Sequence, residues 1–322
     1  MNDLCSLLNI EIPIIQAPAG SVAGPDLCVA VSAAGGLGSM GLTWTPAQTS
    51  ATHVREVRSR TSKPFAVNFA LSFDPSGLFE VLNVGPPVVT FSWGDPSPYV
   101  TCVRDSGARI GLQVGSIEGV ARAIEIGVDF IICQGIDAGG HVQSTSALEE
   151  MLGRAVGIAG DVPIIAAGGI VDGAGIAHAL AAGAQGVMLG TRFVATRESA
   201  AHEIYKRAIV EAGTADTALT VCFDGCWAHA PHRVLRNSTL TEWEAAGSPP
   251  PGRRPGDGEI IGRTSAGDAI LRYDDTAPRT GMSGDLNAMA LYAGMGVSGI
   301  EDIPSAGELV QRMWADTQAS NA

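Results

Sequence analysis

Short apolar runs alternate with longer amphipathic or alanine-rich segments through the first two thirds of this 322-residue chain. Residues 12–15, 37–40, 65–69, 88–91, 109–114, 130–134, 162–166 and 186–189 read as eight strands. They are brief and apolar on both faces, the pattern of a parallel sheet whose outside is covered by helices. Helices are expected from about Pro25 and Asp26, and over residues 46–60, 99–105, 116–126, 147–158, 173–182 and 198–211. Pro25 suits a first helical position and Asp26 complements the dipole of the first turn. Ser116 can cap with its hydroxyl, although Gly119 three residues on makes no capping box. Gly127 and Gly183 each stop a helix just before the next strand, where positive φ is often required.

The stretches SIEGVARAIEIGVDFIICQG and GAGIAHALAAGAQGVMLGT therefore repeat one plan: helix, glycine stop, buried strand, glycine loop. Repeated eight times within about 210 residues, that plan predicts a closed (β/α)8 barrel, with an open doubly wound sheet as the competitor. Beyond residue 212 the pattern changes. Residues 219–221 read as a strand, GSPPPGRRPGDG over residues 247–258 reads as a flexible surface loop, and helical potential returns at 283–292 and 307–315. This divides the chain into a barrel, residues 1–212, and a C-terminal extension or lid-like part, residues 213–322. The extension folds over the barrel mouth or adds to its outer ring. Leu286, Met289, Leu291, Tyr292 and Met295 are expected to pack, and the final ADTQASNA to fray.

Composition narrows the class. Hydrophobic residues make up 46% of the chain and Gly numbers 41 without a collagen period, so a folded, turn-rich protein is expected. The net charge of -13, with no basic block, argues against nucleic acid or an anionic membrane as partner. Six scattered cysteines define no disulfide scaffold, the N-terminus MNDLCSLLNIEIPII has no signal-peptide pattern, and no apolar run suits a spanning helix. A cytoplasmic protein follows as the expectation. Apolar helix surfaces would allow a homodimer, although no feature sets the stoichiometry.

The candidate chemistry lies at the C-terminal strand ends. Gly168 and Gly169 follow the seventh strand, and Gly190 and Thr191 the eighth. These ends are neighbours in a closed barrel, so peptide N–H groups and the Thr191 hydroxyl would converge where barrels commonly hold phosphate. A strand-ending Gln16-Ala17-Pro18, with Asn68, Gln113 and Gln134, would surround a flat heteroaromatic ring bearing N and O edges. No Walker A pattern is present, and GGLGSMG lacks the Rossmann spacing.

His141 lies in the glycine-bearing loop DAGGH beyond the sixth strand. Its imidazole can take a proton from a carbon acid or hydrogen-bond an anionic substrate, and Gly139 and Gly140 let the chain pass close to a ring. Asp137 can cap that loop. His53, His178 and His202 fall within expected helices and read as packing or surface residues. Cys222, Cys226, His229 and His232 form C-x3-C-x2-H-x2-H, but the histidines follow too soon for the usual zinc spacing. Packing of Phe223 and Trp227 beneath the C-terminal segment explains that stretch better, and no metal is expected. Cys133, inside an apolar strand, reads as an inert thiol.

The segments PIIQAPAG, AGGLGSMG, FAVNFAL, RIGLQVGS, GVDFIICQGIDAGGH, VPIIAAGGIVDG, GAQGVMLGTRF and HRVLRN, with YAGMGVSGI later, resemble the nitronate monooxygenase family, also known as 2-nitropropane dioxygenases. That resemblance implies an FMN-containing TIM barrel that oxidises alkyl nitronates, with nitroalkanes as a further candidate substrate, with O2 to carbonyl compounds and nitrogen oxyanions. It implies Gln16, Ala17, Asn68 and Gln113 around the flavin, Gly140 close to it, Gly168, Gly169, Gly190 and Thr191 at its phosphate, and His141 as the catalytic histidine. The chain departs from the family pattern at Ala19, at Val142-Gln143 and at Met295, positions expected to shape the pocket. The alternatives are an NAD(P)H-dependent flavin reductase of enoyl thioesters or another flavin oxidation. A non-redox phosphate-binding barrel is a further alternative, although Lys63 precedes a strand and no strand-end lysine offers a Schiff base. A binding or scaffold protein is the last.

Overall fold

The computed structural model describes residues 3–320. In chain order its first elements are α1 (Asp3–Leu8), β1 (Ile14–Gln16), α2 (Pro25–Ala33), β2 (Gly38–Gly41), α3 (Ala47–Arg60) and β3 (Phe65–Ala70). Next come α4 (Leu78–Leu82), β4 (Val88–Ser92), α5 (Val100–Asp105), β5 (Arg109–Val114), α6 (Ile117–Ile126) and β6 (Phe130–Gln134). A two-residue strand, β7 (Gly140–His141), precedes α7 (Leu148–Ala159), β8 (Ile164–Ala167), α8 (Gly173–Ala181), β9 (Gly186–Leu189), α9 (Thr191–Val194) and α10 (Glu203–Glu211). The remainder holds β10 (Thr217–Thr220), β11 (His232–Leu235), α11 (Ser238–Ala245), β12 (Ile260–Arg263), β13 (Ala269–Leu271), β14 (Ser283–Gly284) and α12 (Ala306–Ser320).

Eight parallel strands run in the order β1-β9-β8-β6-β5-β4-β3-β2. The two edges meet at a parallel bridge between Ile15 and Leu37, flanked by Gln16 N–H to Leu37 O and Leu37 N–H to Ile14 O, each 2.9 Å. The sheet is thus closed, as the repeating pattern predicts. Side chains alternate in and out along each strand. Ile110, Leu112 and Val114 face the outer helices, whereas Phe130, Ile132, Ile165 and Met188 share the interior with Ile15 and Leu37. The Phe130 ring fills the space left at Gly111, where a Cβ would collide with it. Leu4, Cys5 and Leu8 of α1 join the interior cluster, so this short helix plugs the end opposite the mouth.

Local punctuation acts as the sequence indicates. Ser116 Oγ accepts from Gly119 N–H at 3.1 Å, and Gly127 and Gly183 take φ of 77° and 98°. The expected helix over residues 198–211 begins only at Glu203, because His202 caps it through Nδ1 accepting from Ile204 N–H at 3.2 Å.

Between β9 and α12 the chain leaves the barrel and builds over its mouth. An antiparallel sheet, β10-β11-β7, ties this region to the loop after β6 by pairing His141 with His232 and Gly140 with Arg233. A second antiparallel sheet, β13-β12-β14, lies beyond it. Then α12 returns to pack on α8 and α2, completing the outer ring. The helical expectation for residues 283–292 fails: after β14 there is one 3-10 turn, Leu286–Ala288, and then extended chain. Leu286, Met289 and Leu291 are buried there, Val234 bridges to Tyr292, and tertiary packing overrides helical propensity. Met295 departs from its expected packing and is 36% exposed. The expected fraying is not seen as far as Ser320, where α12 ends after burying Thr317; Asn321 and Ala322 lie outside the described residues. The proline-rich loop is pinned: Arg254 pairs with Asp224 at 2.6 Å and lies 4.2 Å over the Tyr273 ring.

Candidate active site

A narrow cleft of about 70 Å³ opens at the C-terminal ends of β5, β6, β8 and β9. The alternation of the strands decides what reaches it. Gln113 and Gln134 have the inward parity of Gly111 and Phe130, and Ala167 and Met188 complete the floor. Gly168, Gly169, Gly190 and Thr191 form one wall, Ala138 and Gly139 a second, and Gly294 and Gly296 of the returning chain a third. No charged side chain lines the cleft.

Ala17, Gln113, Gln134, Gly139, Gly168, Gly169, Gly190 and Thr191, all singled out from sequence, come together in this cleft. Gly168 and Gly169 have φ of 135° and 67°, a succession that turns peptide N–H groups toward one concavity. The neighbouring start of α8 contributes less than the sequence suggests, because Asp172 Oδ1 already accepts from Gly175 N–H at 2.7 Å. Thr191 Oγ1 accepts from Gly294 N–H at 3.0 Å, which leaves its own hydrogen free to donate.

Four residues expected at the cofactor are not part of this cleft's lining. Gln16 has the outward parity of Ile14 and is fully buried; its Oε1 accepts from Ser39 N–H at 2.9 Å and its Nε2 donates to Ala17 O. It joins strands and fixes the Ala17 peptide. Pro18 belongs to the turn after β1, its carbonyl accepting from Gly20 N–H at 2.7 Å. Asn68 points inward but spends Nδ2 on Thr90, at 3.1 Å from Oγ1 and 3.2 Å from the carbonyl. Gly140 is consumed in the pairing with Arg233, at φ 73°. Gly139 has a packing duty as well, since a Cβ there would lie 2.6 Å from the Ala293 carbonyl carbon.

His141 stands beside the cleft, and a cleft residue holds its backbone. Gln134 Nε2 donates to His141 O at 3.1 Å, while Gln134 Oε1 accepts from Gln143 N–H at 2.8 Å. Arg233 braces the same loop by donating to Ile136 O from Nη2 at 2.9 Å, and Asp137 Oδ2 accepts from Leu148 N–H at the start of α7. The imidazole is mostly enclosed, and its Nδ1 is buried without a hydrogen-bond partner. Burial first, then the adjacent His232, lowers its pKa from 6.5 to about 3. His232 is itself fully buried. Its Nε2 accepts from Phe223 N–H at 3.3 Å, so Nδ1 carries the hydrogen donated to Ala230 O at 2.9 Å. That structural duty accounts for one member of the Cys/His stretch; Cys222 is buried, and Cys226 and His229 are exposed.

Sequence reading missed the rings over His141. Trp227 lies 4.4 Å from the imidazole between ring centroids, and Trp93 6.2 Å. Trp44 and Phe73 extend the cluster outward from Trp227, at 5.9 and 5.0 Å. Phe223 packs beneath the C-terminal segment as expected, but Trp227 belongs to this rim instead. Trp44, Phe73, Trp93 and Trp227 follow β2, β3, β4 and β10 respectively, so only closure of the barrel and its extension brings them together. Gly294 and Gly296 also escaped notice, although the glycines of YAGMGVSGI are a local sign of close chain approach.

The family model described as nitronate monooxygenase matches residues 2–76 and 72–316. A nitronate monooxygenase of Paraburkholderia phytofirmans is 35% identical over 300 residues, covering 78% of this chain and 81% of its own. A (3aS,4S,5R,7aS)-5-hydroxy-7a-methyl-1-oxo-octahydro-1H-indene-4-carboxyl-CoA dehydrogenase of Mycobacterium tuberculosis is 33% identical over 247 residues, covering 75% of this chain and 68% of its own. Among solved structures, a nitroalkane oxidase from Streptomyces ansochromogenes superposes with a TM-score of 0.79 at 28% identity, over 99% of this chain and 100% of that one.

Proposed function

The chain belongs to the nitronate monooxygenase family, and on that premise we propose that it is an FMN-dependent oxidoreductase converting alkyl nitronates, with O2, to carbonyl compounds and nitrogen oxyanions. In that conversion C=N becomes C=O, with oxygen drawn from O2. The residues present fit the cofactor. The cleft has glycines where a phosphate needs close backbone approach, two amide side chains where a heteroaromatic ring needs donors and acceptors, and alanines beside which a flat ring can lie. FMN, when bound, supplies the electron transfer between substrate and oxygen. Gly168, Gly169, Gly190 and Thr191 would hold its phosphate, and Ala17, Gln113 and Gln134 its ring. Gln16 serves the site by fixing the Ala17 peptide.

The observation that carries this reading is the junction of an uncharged, glycine-walled cleft with an uncharged imidazole, joined through Gln134. A neutral His141 can orient the oxygens of a nitronate by donating a hydrogen bond. As a base it is weak, because its conjugate acid lies far below neutral pH, and abstraction of a carbon-bound proton favours a base matched to the working pH. The substrate form is therefore the nitronate already deprotonated, in preference to the neutral nitroalkane.

The test is the visible spectrum of freshly purified protein, followed by oxygen uptake with nitronates of several small nitroalkanes. Yellow protein that consumes O2 with nitronates, and much more slowly with freshly dissolved nitroalkanes, supports the proposal. Colourless protein that takes up no FMN, or flavoprotein bleached by NADPH yet inert to every nitronate, overturns it.

A further inference from the structure

The rim over His141 is unusual for this chain. Aromatic residues make up only 5% of the sequence and Trp numbers five, yet Trp44, Trp93 and Trp227 gather here with Phe73. Trp44 and Phe73 meet edge to face at 5.2 Å, and Trp93 and Trp227 at 4.8 Å. The rings form a continuous path: Trp44, 53% exposed, stands at the solvent end, and Trp227 covers the imidazole at the inner end. Trp93 sits at φ 60°, a left-handed conformation that a bulky side chain adopts only when its surroundings enforce it. A half-exposed apolar patch leading to a buried catalytic group, held partly by strained backbone, is a recognition surface.

Its charge environment narrows the ligand. Near the mouth Arg122 pairs with Asp95 and Glu125, and Arg254 with Asp224, while Arg233 donates to the Ile136 carbonyl with the Asp137 carboxylate nearby. Behind Trp227, Cys226 interacts with Asp275, and Asp274 lies near. The carboxyl groups of Asp274 and Asp275 disfavour a further carboxylate or phosphate on that side, and the rings favour uncharged groups.

Resting on the nitronate reading above, we propose that these rings make the enzyme selective for nitronates bearing a neutral aryl or bulky apolar substituent. The substituent slots among Trp44, Phe73, Trp93 and Trp227 and replaces contacts the rings make with one another. The nitronate head then lies toward His141. Small nitronates reach the same atoms without that contact, and carboxylate-bearing ones meet the acidic rim.

The test compares kcat/KM for the nitronates of phenylnitromethane, nitroethane and 4-nitrobutyrate in wild type, Trp44→Ala and Trp227→Ala. Wild type is expected to prefer the phenyl substrate over the ethyl one by at least about tenfold, with the carboxylate substrate slowest, and each variant to cut the phenyl-to-ethyl ratio by about five- to tenfold. Trp44 is half exposed, so its replacement leaves the fold intact. A ratio near unity in wild type, or one that neither variant changes, overturns the selectivity while leaving nitronate oxidation standing. A second arm needs no turnover: benzaldehyde should quench tryptophan fluorescence saturably, propionaldehyde far less, and Trp227→Ala should weaken the benzaldehyde response. If no nitronate is oxidised, the functional reading fails. In that case saturable benzaldehyde binding lost in Trp227→Ala still supports an apolar recognition wall, and its absence overturns it.

Discussion

Along the β8–β9 side of the mouth the lining is mostly backbone, with Gly168, Gly169, Gly190, Gly294 and Gly296 set against one another. On the His141 side it is ring upon ring, contributed by loops far apart in sequence. The first region works by what is missing, since each absent side chain lets two chain segments or a ligand approach. Its tolerance is small and its specificity is for shape. The second works by bulk that substitutions can exchange without breaking the chain path. The cofactor side is therefore expected to resist change, and the substrate side to be where relatives diverge in what they accept.

The sharpest test of that contrast is Gly296→Ala. A Cβ there would collide with the Gly169 carbonyl, which is backbone and cannot step aside. The expected cost is about 3 kcal/mol or more in urea unfolding, together with loss of the yellow colour on purification. On the opposite side, His141→Gln should keep both colour and fold while lowering kcat/KM for nitronates by about a hundredfold, measured by oxygen uptake. Gly190→Ala sharpens the comparison within the cofactor region. Its Cβ meets only Ala17 Cβ, at 3.7 Å, so stability should stay within about 0.5 kcal/mol of wild type, while FMN affinity, measured by fluorescence titration, falls about tenfold as the methyl enters the cleft.

The last effect concerns pH. His141 and His232 both have folded-state pKa values lowered by burial, His141 to about 3. The unfolded chain binds protons on these groups near 6.5 and the folded chain does not, so their contribution is complete above that pH and is lost as pH falls below it. The slope is at most about 1.4 kcal/mol per pH unit for each histidine. Urea unfolding at pH 7, 6 and 5 should show the decline, and His141→Gln should make it shallower.

What could be read in advance follows from how local each signal is. The residues of β5, β6 and β9 carry their own apolar pattern and their own glycine stops, and those strands occupy the expected positions. The glycine pairs after β8 and β9 are contiguous in sequence and needed only barrel closure to become neighbours. Gln16 was legible too, had its parity been compared with Ile14 rather than its strand-end position alone. By contrast, β7 has only two residues, and its partner His232 lies some ninety positions later, beyond the reach of any local periodicity. The run at 283–292 has helical composition but is drawn out as a strap by contacts at Val234 and at the neighbouring apolar cluster. The aromatic rim joins both difficulties, because each ring alone looks like an ordinary loop residue.

The return of α12 to the outer ring also bears on biosynthesis. Ribosomes deliver residues 306–320 after both mouth sheets, so the flank of the barrel facing α2 and α8 stays uncovered until translation has passed them. Nascent chains stalled anywhere in the preceding hundred residues would display that greasy flank, where Leu309, Val310 and Met313 normally dock, and should be captured by chaperones rather than accumulate as partial enzyme.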